Sequence, residues 1–453
     1  MSRMIVIGSG LVGTVLAVYL AKQGHEVQVY ERVADPREAD PSSGRSINLT
    51  LCDRGFAVLD SIGVGDAVRA VSVPVKGRLV HDVKGELTFQ PYGNNGEAIY
   101  SIARTDLNKV LLDFAERNFD IDFSFNEKCL DIDFCAPSVQ LRNLRTGDVS
   151  SANARLIFGC DGAYSAVRSK MQRKMRLNFS QHYWDQGYKE LRAHTSTERD
   201  WTAERNVIHI WPRKDYMLIG FPNVDGTFTV ALHLPFTGPL SFESLVTDAD
   251  VRELFQTSFP DVIPHMPELI DDFLNHPANP MVTIKCSPWS YQDRAVLIGD
   301  AAHSIYPSYG QGANAGFEDC ATLFECMQTY REDWKQVLKE FERRRRPNTD
   351  AIADLCVEHF KELRDLVGSP EFLLRKEIER TINHAYPDKY KDLYSMITFT
   401  CMPYVEAMRI DREQRSILDQ LMAIDGIGQK LHTAEVSGVI DRLMSARALK
   451  TNA

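Results

Sequence analysis

Three glycine-rich turns, each closing an apolar run, carry the residue types that hold phosphates and sugar hydroxyls. The first is Gly8-Ser9-Gly10-Leu11-Val12-Gly13, after Met4-Ile5-Val6-Ile7. The spacing Gly-x-Gly-x-x-Gly between a strand pattern and a helix pattern (Leu11, Leu16, Leu20) predicts a strand, a tight turn and a helix. The N–H groups at that helix's N-terminus then face a pyrophosphate. Gly8 permits the turn, Gly10 lets the backbone approach the phosphates, and Gly13 lets the helix pack on the strand. The next strand pattern, Glu26–Tyr30, ends at Glu31. A carboxylate there accepts hydrogen bonds from ribose hydroxyls and repels a 2′-phosphate, so the nucleotide is that of FAD or NAD rather than NADP.

The second turn is Gly159-Cys160-Asp161-Gly162, followed by Ser165 as a helix cap. On its own this is a structural turn. The third is Gly299-Asp300, after Ala295–Ile298, and it leads into Gly310-Gln311-Gly312-Ala313-Asn314. Asp300 suits a ribityl or ribose hydroxyl. The Gly310–Asn314 loop, at a helix N-terminus, suits a ring that gathers negative charge when reduced. His303, next to this turn, reads as a packed loop histidine rather than a ligand.

Composition narrows the class. The 453 residues carry 52 Lys+Arg against 62 Asp+Glu, a net charge of −10 that argues against nucleic-acid binding. The length suggests two or three domains. Nine scattered cysteines with no Cys-x-x-Cys, and no secretory leader, point to reduced thiols in the cytoplasm. No apolar run is long enough to span a membrane. No metal-ligand spacing is present.

Periodicity predicts an α/β chain: a Rossmann-type domain with an inserted antiparallel β-sheet domain and a C-terminal helical region. The first comprises 1–72, 103–182 and 287–330, the second 73–102 and 183–286, and the third 331–453. Within the first, 35–44 reads as an exposed loop, 45–50 as a short strand, 52–62 as a helix, and 105–118 as a helix capped by Thr105. Within the second, strands are expected at 206–211, 216–221, 227–234 and 281–286, with helices near 248–257 and 268–274. Helices are then expected at 334–345, 349–365, 371–385, 388–408 and 413–421. Arg343–Arg346, just before Pro347, reads as a helix end and a charged surface face.

The three turns in this order resemble the single-component FAD-dependent aromatic hydroxylases. Arg45–Leu49, Gly159–Ser165, His209–Arg213, Gly310–Gly312, Asn314–Asp319 and Tyr394–Phe399 are similar, more narrowly, to the kynurenine-hydroxylating members of that family. The likeness runs to about residue 410, and the chain ends without the anchoring helix of mitochondrial members. The resemblance implies tightly bound FAD, NADPH as a co-substrate without its own Rossmann domain, and dioxygen. The reaction it implies is hydroxylation of L-kynurenine to 3-hydroxykynurenine in tryptophan degradation, by a monomer or weak dimer. It adds FAD contacts at Val12, Glu31, Arg32, Thr50, Arg104, Leu130, Asp161, Asp300, Gly312, Ala313 and Asn314. No protein residue need act as acid, base or nucleophile, because the cofactor carries the chemistry. The substrate carboxylate falls to Arg78, Tyr92 and Tyr394, a guanidinium and two phenols suited to that anion; Phe236, Tyr309 and His359 complete the substrate site. Taken alone, Arg78 is equally well a surface strand residue.

Three positions depart from the family. His359 replaces a usual Asn, and its ring, able to donate a similar bond, is expected to charge near neutral pH. Ser308 replaces an aromatic, which loosens the pocket around the aniline, and Ala313 replaces a Met. Glu362 reads as a neighbour of the site rather than a base. The alternatives are an FAD hydroxylase of another aromatic amino acid or phenol, and a flavin-binding regulator without turnover.

Overall fold

The run Arg3–Ile7 forms a central strand because it is apolar on both faces, as a parallel strand covered by helices must be. The computed structural model describes residues 2–38, 47–93, 96–195, 201–366 and 369–451. Six strands follow the order 290–291, 295–297, 156–159, 3–7, 26–30 and 121–124. All pairings are parallel except that of the edge strand 290–291. The three glycine-rich turns follow Ile7, Gly159 and Leu297. They therefore sit side by side at the carboxyl ends of three adjacent strands, where open α/β sheets bind ligands. The helix Leu11–Lys22 packs on this sheet, with Val15, Leu16, Ala17 and Leu20 fully buried. A Cβ on Gly13 would lie 2.0 Å from the Gly8 carbonyl oxygen, so only glycine permits this approach.

A second sheet of seven strands has the order 279–287, 178–193, 228–235, 216–222, 207–213, 77–81 and 87–91. Its central strands alternate by face. Ile208, Ile210, Met217 and Ile219 turn toward the first domain, while Trp211, Leu218, Phe228 and Leu232 pack against the helices Asp248–Ser258 and Leu269–Asn275.

Several sequence expectations need correction. Strands 73–75 and 99–103 do not join the large sheet; 99–103 pairs with both 48–51 and 73–75 in a separate three-stranded sheet. The strand Asn178–Ala193 is continuous across the expected boundary at 182/183. A period of two identifies strands but not their partners. The helix Arg104–Asn118 begins one residue before Thr105, with Ala103 at its N-cap position. Residues 388–408 are two helices, Leu393–Thr398 and Tyr404–Met422, separated before Pro403. The second of them contains the helix expected at 413–421.

Conversely, the two helices expected on either side of Pro347 are one, Trp334–Lys361. Proline in a helix interior costs about 3 kcal/mol. Burial on both sides offsets it: Trp334, Val337 and Phe341 enter the core of the first domain, and Ile352, Leu355 and Phe360 enter a second core beyond the proline. In the arginine run, Arg345 is buried rather than displayed. Beyond Pro370, Ile382, Leu418, Leu421 and Ile440 share a further core, while Met396, Ile397, Tyr404 and Ala407 join the second core. No helix among the described residues is long and apolar enough to cross a membrane.

Candidate active site

The three turns open onto one cavity of about 480 Å³, bounded below by the apolar face of the large sheet. Gly10, Val12, Thr50, Arg104, Asp300 and Ala313 all line it. Helix Leu11–Lys22 presents its first-turn N–H groups there with no side-chain cap, and helix Gly312–Tyr330 does the same from the opposite side. A Cβ built on Gly10, Gly162 or Gly312 would meet no protein atom within 4 Å, so backbone at three places is left open to a ligand. Gly310 is held at φ +63, and a Cβ there would lie 1.8 Å from Thr50 Oγ1.

Glu31 ends its strand as expected. Its Oε2 accepts from the Ser9 N–H at 2.9 Å and its Oε1 from the Val33 N–H at 3.0 Å, which fixes the carboxylate beside the first turn. Arg32 is exposed beside it. Asp300 faces the cavity; enclosure by protein raises its carboxyl pKa, opposed by the nearby Arg104 guanidinium. Asp161 accepts from the Ala166 N–H at 2.6 Å through Oδ2, while its buried Oδ1 has no partner. Ser165 caps the following helix, accepting from the Arg168 N–H at 2.9 Å.

Two expected contacts take a different form. The Asn314 side chain points into protein: Nδ2 donates to the carbonyls of Thr50 and Gly310, both at 2.9 Å, and Oδ1 accepts from the Cys52 N–H. Asn314 shapes the loop instead of lining the cavity. Leu130 stands on the strand Glu127–Asp133 and is not among the lining residues. Arg45 and Ser46, and residues 39–44 of the expected loop, lie outside the described residues.

A buried ionic chain holds the third turn. Asp319 Oδ2 accepts from the Gly299 N–H at 3.0 Å and bonds His303 Nε2, while Oδ1 accepts from Arg345 Nε at 2.6 Å. Arg345 also pairs with Glu318, which binds Arg54, and Arg54 donates to the carbonyl of Met402 at 2.7 Å. His303 is thus a packed histidine, as read from sequence. The role of Arg345 was hidden inside what looks like a charged surface run.

Five of the six expected substrate residues converge. Arg78, Tyr92, Tyr309, His359 and Tyr394 form a partition between this cavity and a second of about 580 Å³, which is rich in charged side chains. Arg78 is buried on the strand Gly77–His81, not on the surface, and its Nε donates to Gln90 Oε1 at 2.8 Å. Tyr92 and Tyr394 stack at 5.0 Å, and Tyr309 stacks on His359 at 3.9 Å. Burial pushes the Tyr92 phenol up to about 12, so it keeps its proton as a donor. Phe236 is the exception: it packs over Gly187 and beside Phe242, at the end of the strand Phe228–Pro235, and lines neither cavity. Burial pushes His359 down to about 4, so the expected charge near neutral pH is not present. Glu362 lines only the charged cavity.

Sequence reasoning missed the cavity floor of Ile208, Ile210, Met217 and Ile219, although its alternation was readable. It also missed His233, which lines the cavity with Nδ1 unpartnered and its pKa lowered by burial to about 4. Nothing in its neighbourhood of sequence marks it.

A fold with this sheet, these turns and this inserted β-domain is that of an FAD-dependent hydroxylase. Residues 1–355 match the family profile described as an FAD binding domain. Among solved structures, p-nitrophenol 4-monooxygenase from Pseudomonas putida superposes with a TM-score of 0.66 at 18% identity, over 91% of this chain and 99% of that one. The oxygenase of 2-methyl-3-hydroxypyridine-5-carboxylic acid gives 0.64 at 20% identity, over 81% and 94%. At such identities the likeness concerns the fold.

Curated relatives are nearer. Kynurenine 3-monooxygenase of Flavobacterium johnsoniae is 43% identical over 98% of both chains. That of Anopheles gambiae is 39% identical over 98% of this chain and 93% of its own, and that of Dictyostelium discoideum 37% identical over 92% of each. This chain belongs to the kynurenine 3-monooxygenase family. Its cofactor is FAD, and the residues present fit it: three open glycine positions, two uncapped helix N-termini, and the Glu31 and Asp300 carboxylates.

Proposed function

We propose that this protein hydroxylates the aromatic ring of L-kynurenine beside its amine. NADPH and dioxygen are consumed, and 3-hydroxykynurenine, NADP⁺ and water are formed. The observation that carries the reading is the partition of Arg78, Tyr92, Tyr309, His359 and Tyr394 set between an apolar, flavin-side cavity and a charged one. A substrate with an aromatic end and an amino-acid end matches that division.

Bound FAD supplies the redox and oxygen-transfer chemistry. The chain supplies the rest. Gly10–Val12 and Gly312–Ala313 offer N–H groups to the cofactor's anionic parts, and Glu31 and Asp300 offer acceptors to its hydroxyls. Arg78, with Nε held by Gln90, directs its remaining N–H groups to the substrate carboxylate, and Tyr92 and Tyr394 donate to the same group. Ile208, Ile210, Met217 and Ile219 present a dry surface to the ring and exclude water. The aniline nitrogen already enriches the ring, so no protein base is required. Glu31 disfavours a 2′-phosphate at the fingerprint, which leaves NADPH a transient co-substrate. The nine free thiols accord with a cytoplasmic protein.

The test is NADPH oxidation by the purified holoprotein with and without L-kynurenine, with mass analysis of the product. Stimulation with a product heavier by one oxygen atom is expected. Stimulation yielding only peroxide, or none, refutes kynurenine as the substrate hydroxylated.

A further inference from the structure

In the stretch Gly310-Gln311-Gly312, which leads into helix Gly312–Tyr330, only Gln311 has a side chain. The two glycines line the cofactor cavity with backbone, whereas Gln311 is buried behind them and does not line it. Its neighbours set the orientation of its amide. Nε2 lies 3.5 Å from the carbonyl oxygen of Tyr309, which only accepts, so the amide N–H groups belong on that side and Oε1 on the other. Oε1 then requires a donor. The Tyr404 hydroxyl provides one at 2.8 Å; the Cys52 thiol, at 3.8 Å, is a weaker one. Tyr404 is fully buried, and burial holds its phenol well above the usual range, so the proton stays on the oxygen to be donated.

Tyr404 reaches this loop from the start of helix Tyr404–Met422, 93 residues further along the chain. Arg54 holds it there. The guanidinium carbon stands 4.0 Å from the centre of the Tyr404 ring, and the same group donates to the carbonyls of Ile397 and Met402 just before it. The loop therefore has two tethers. Asn314 ties it to Thr50 and Cys52, and Gln311 ties it to Tyr404. A flavin ring gathers negative charge on reduction, and N–H groups held in place at a helix N-terminus favour that charge only while they stay aimed at it. We propose that Tyr404 is a positioning residue for the cofactor: through the Gln311 amide it holds the loop against the flavin ring and raises the flavin's reduction potential. The inference rests on the FAD site alone and is independent of which substrate is hydroxylated.

Tyr404→Phe removes one oxygen and leaves the ring beneath Arg54. Gln311→Met keeps the length of the side chain and removes its amide. The midpoint potential of the bound flavin is measured by equilibration with reference dyes in the wild type, the two variants and the double variant, each as FAD-loaded holoprotein without substrate. One neutral hydrogen bond corresponds to roughly 3- to 10-fold in the ratio of reduced to oxidised flavin, or about 15 to 30 mV for a two-electron couple. Tyr404→Phe is expected to lower the potential by that amount at full FAD content, Gln311→Met by at least as much, and the double variant by no more than Gln311→Met. Ile440→Val trims the further core of the C-terminal helices and is expected to leave the potential unchanged. An unchanged potential in Tyr404→Phe overturns the inference. Shifts that add in the double variant also overturn it, because the phenol then acts by a route other than Gln311. An equal shift in Ile440→Val does the same, because any loosening of these helices then suffices. If Gln311→Met does not load FAD, Tyr404→Phe and Ile440→Val decide between them.

Discussion

Replacing Gly310 by Ala isolates the backbone geometry of the loop before helix Gly312–Tyr330. Two costs arise. At φ +63 an L-residue is disfavoured by about 1–2 kcal/mol. The new methyl would also lie 1.8 Å from Thr50 Oγ1 and 3.2 Å from Thr50 Cβ. Relieving such an overlap in a packed site costs about 1–3 kcal/mol. The single variant is therefore expected to lose about 2–5 kcal/mol of holoprotein stability. Thr50→Ala removes the hydroxyl and leaves the dihedral unchanged. The double variant should then retain only the dihedral cost, giving a favourable coupling of about 1–3 kcal/mol in a double-mutant cycle. Urea unfolding of the four FAD-saturated proteins measures it, and FAD titration of the apoproteins shows how much of the loss appears as weaker binding. A double variant no more stable than Gly310→Ala refutes the steric part of the reasoning. A single variant as stable as the wild type refutes all of it.

Arg78→Met removes a buried guanidinium from the carboxylate and is expected to cost about 3 kcal/mol, or roughly a hundredfold in kcat/KM for kynurenine, with FAD content unchanged; unaltered steady-state kinetics sink the assignment. Asp319→Asn breaks the buried chain between His303 and Arg345, and should destabilise the protein by about 3–5 kcal/mol and lower the flavin content after purification; full occupancy and an unchanged unfolding midpoint speak against it. For His359, the folded ring takes its proton only near pH 4 while the unfolded ring takes it near 6.5. The unfolded chain thus binds more protons in that window, and stability falls as the pH falls through it, by about 2 kcal/mol at pH 5 from this residue. His359→Asn should flatten that part of the pH dependence in urea titrations, and an identical slope contradicts it.

The flavin half of the site was legible because its signals are local. Glycine spacing, an acid at a strand end and a capping serine each act within a few residues of chain, and the parallel sheet then brings three such signals together. The substrate half was not legible from pattern alone. Arg78 reads equally as a surface strand residue, and only the resemblance singled it out; its burial depends on Gln90 and on helices almost three hundred residues away. Phe236 was singled out by the resemblance alone, and in this chain its ring covers Gly187 beside Phe242 instead of lining the pocket. Arg345 was concealed by its three surface neighbours. The one-turn difference between a break and a continuation at Pro347 was decided by tertiary burial on either side, which overrides propensity.

The uninterrupted helix from Trp334 to Lys361 acts as a ruler. At 1.5 Å per residue its 28 residues extend roughly 42 Å, with one end among the side chains under the flavin turns and the other at the substrate partition. Arg345 and His359 are fixed on one rigid spiral. Adding or deleting a single residue between them turns His359 by about 100° relative to Arg345 and swings its ring out of the partition. Whole turns alone would keep the angle, and each would push the ring about 5.4 Å along the axis. The length of this segment is therefore set by the reach from cofactor to substrate.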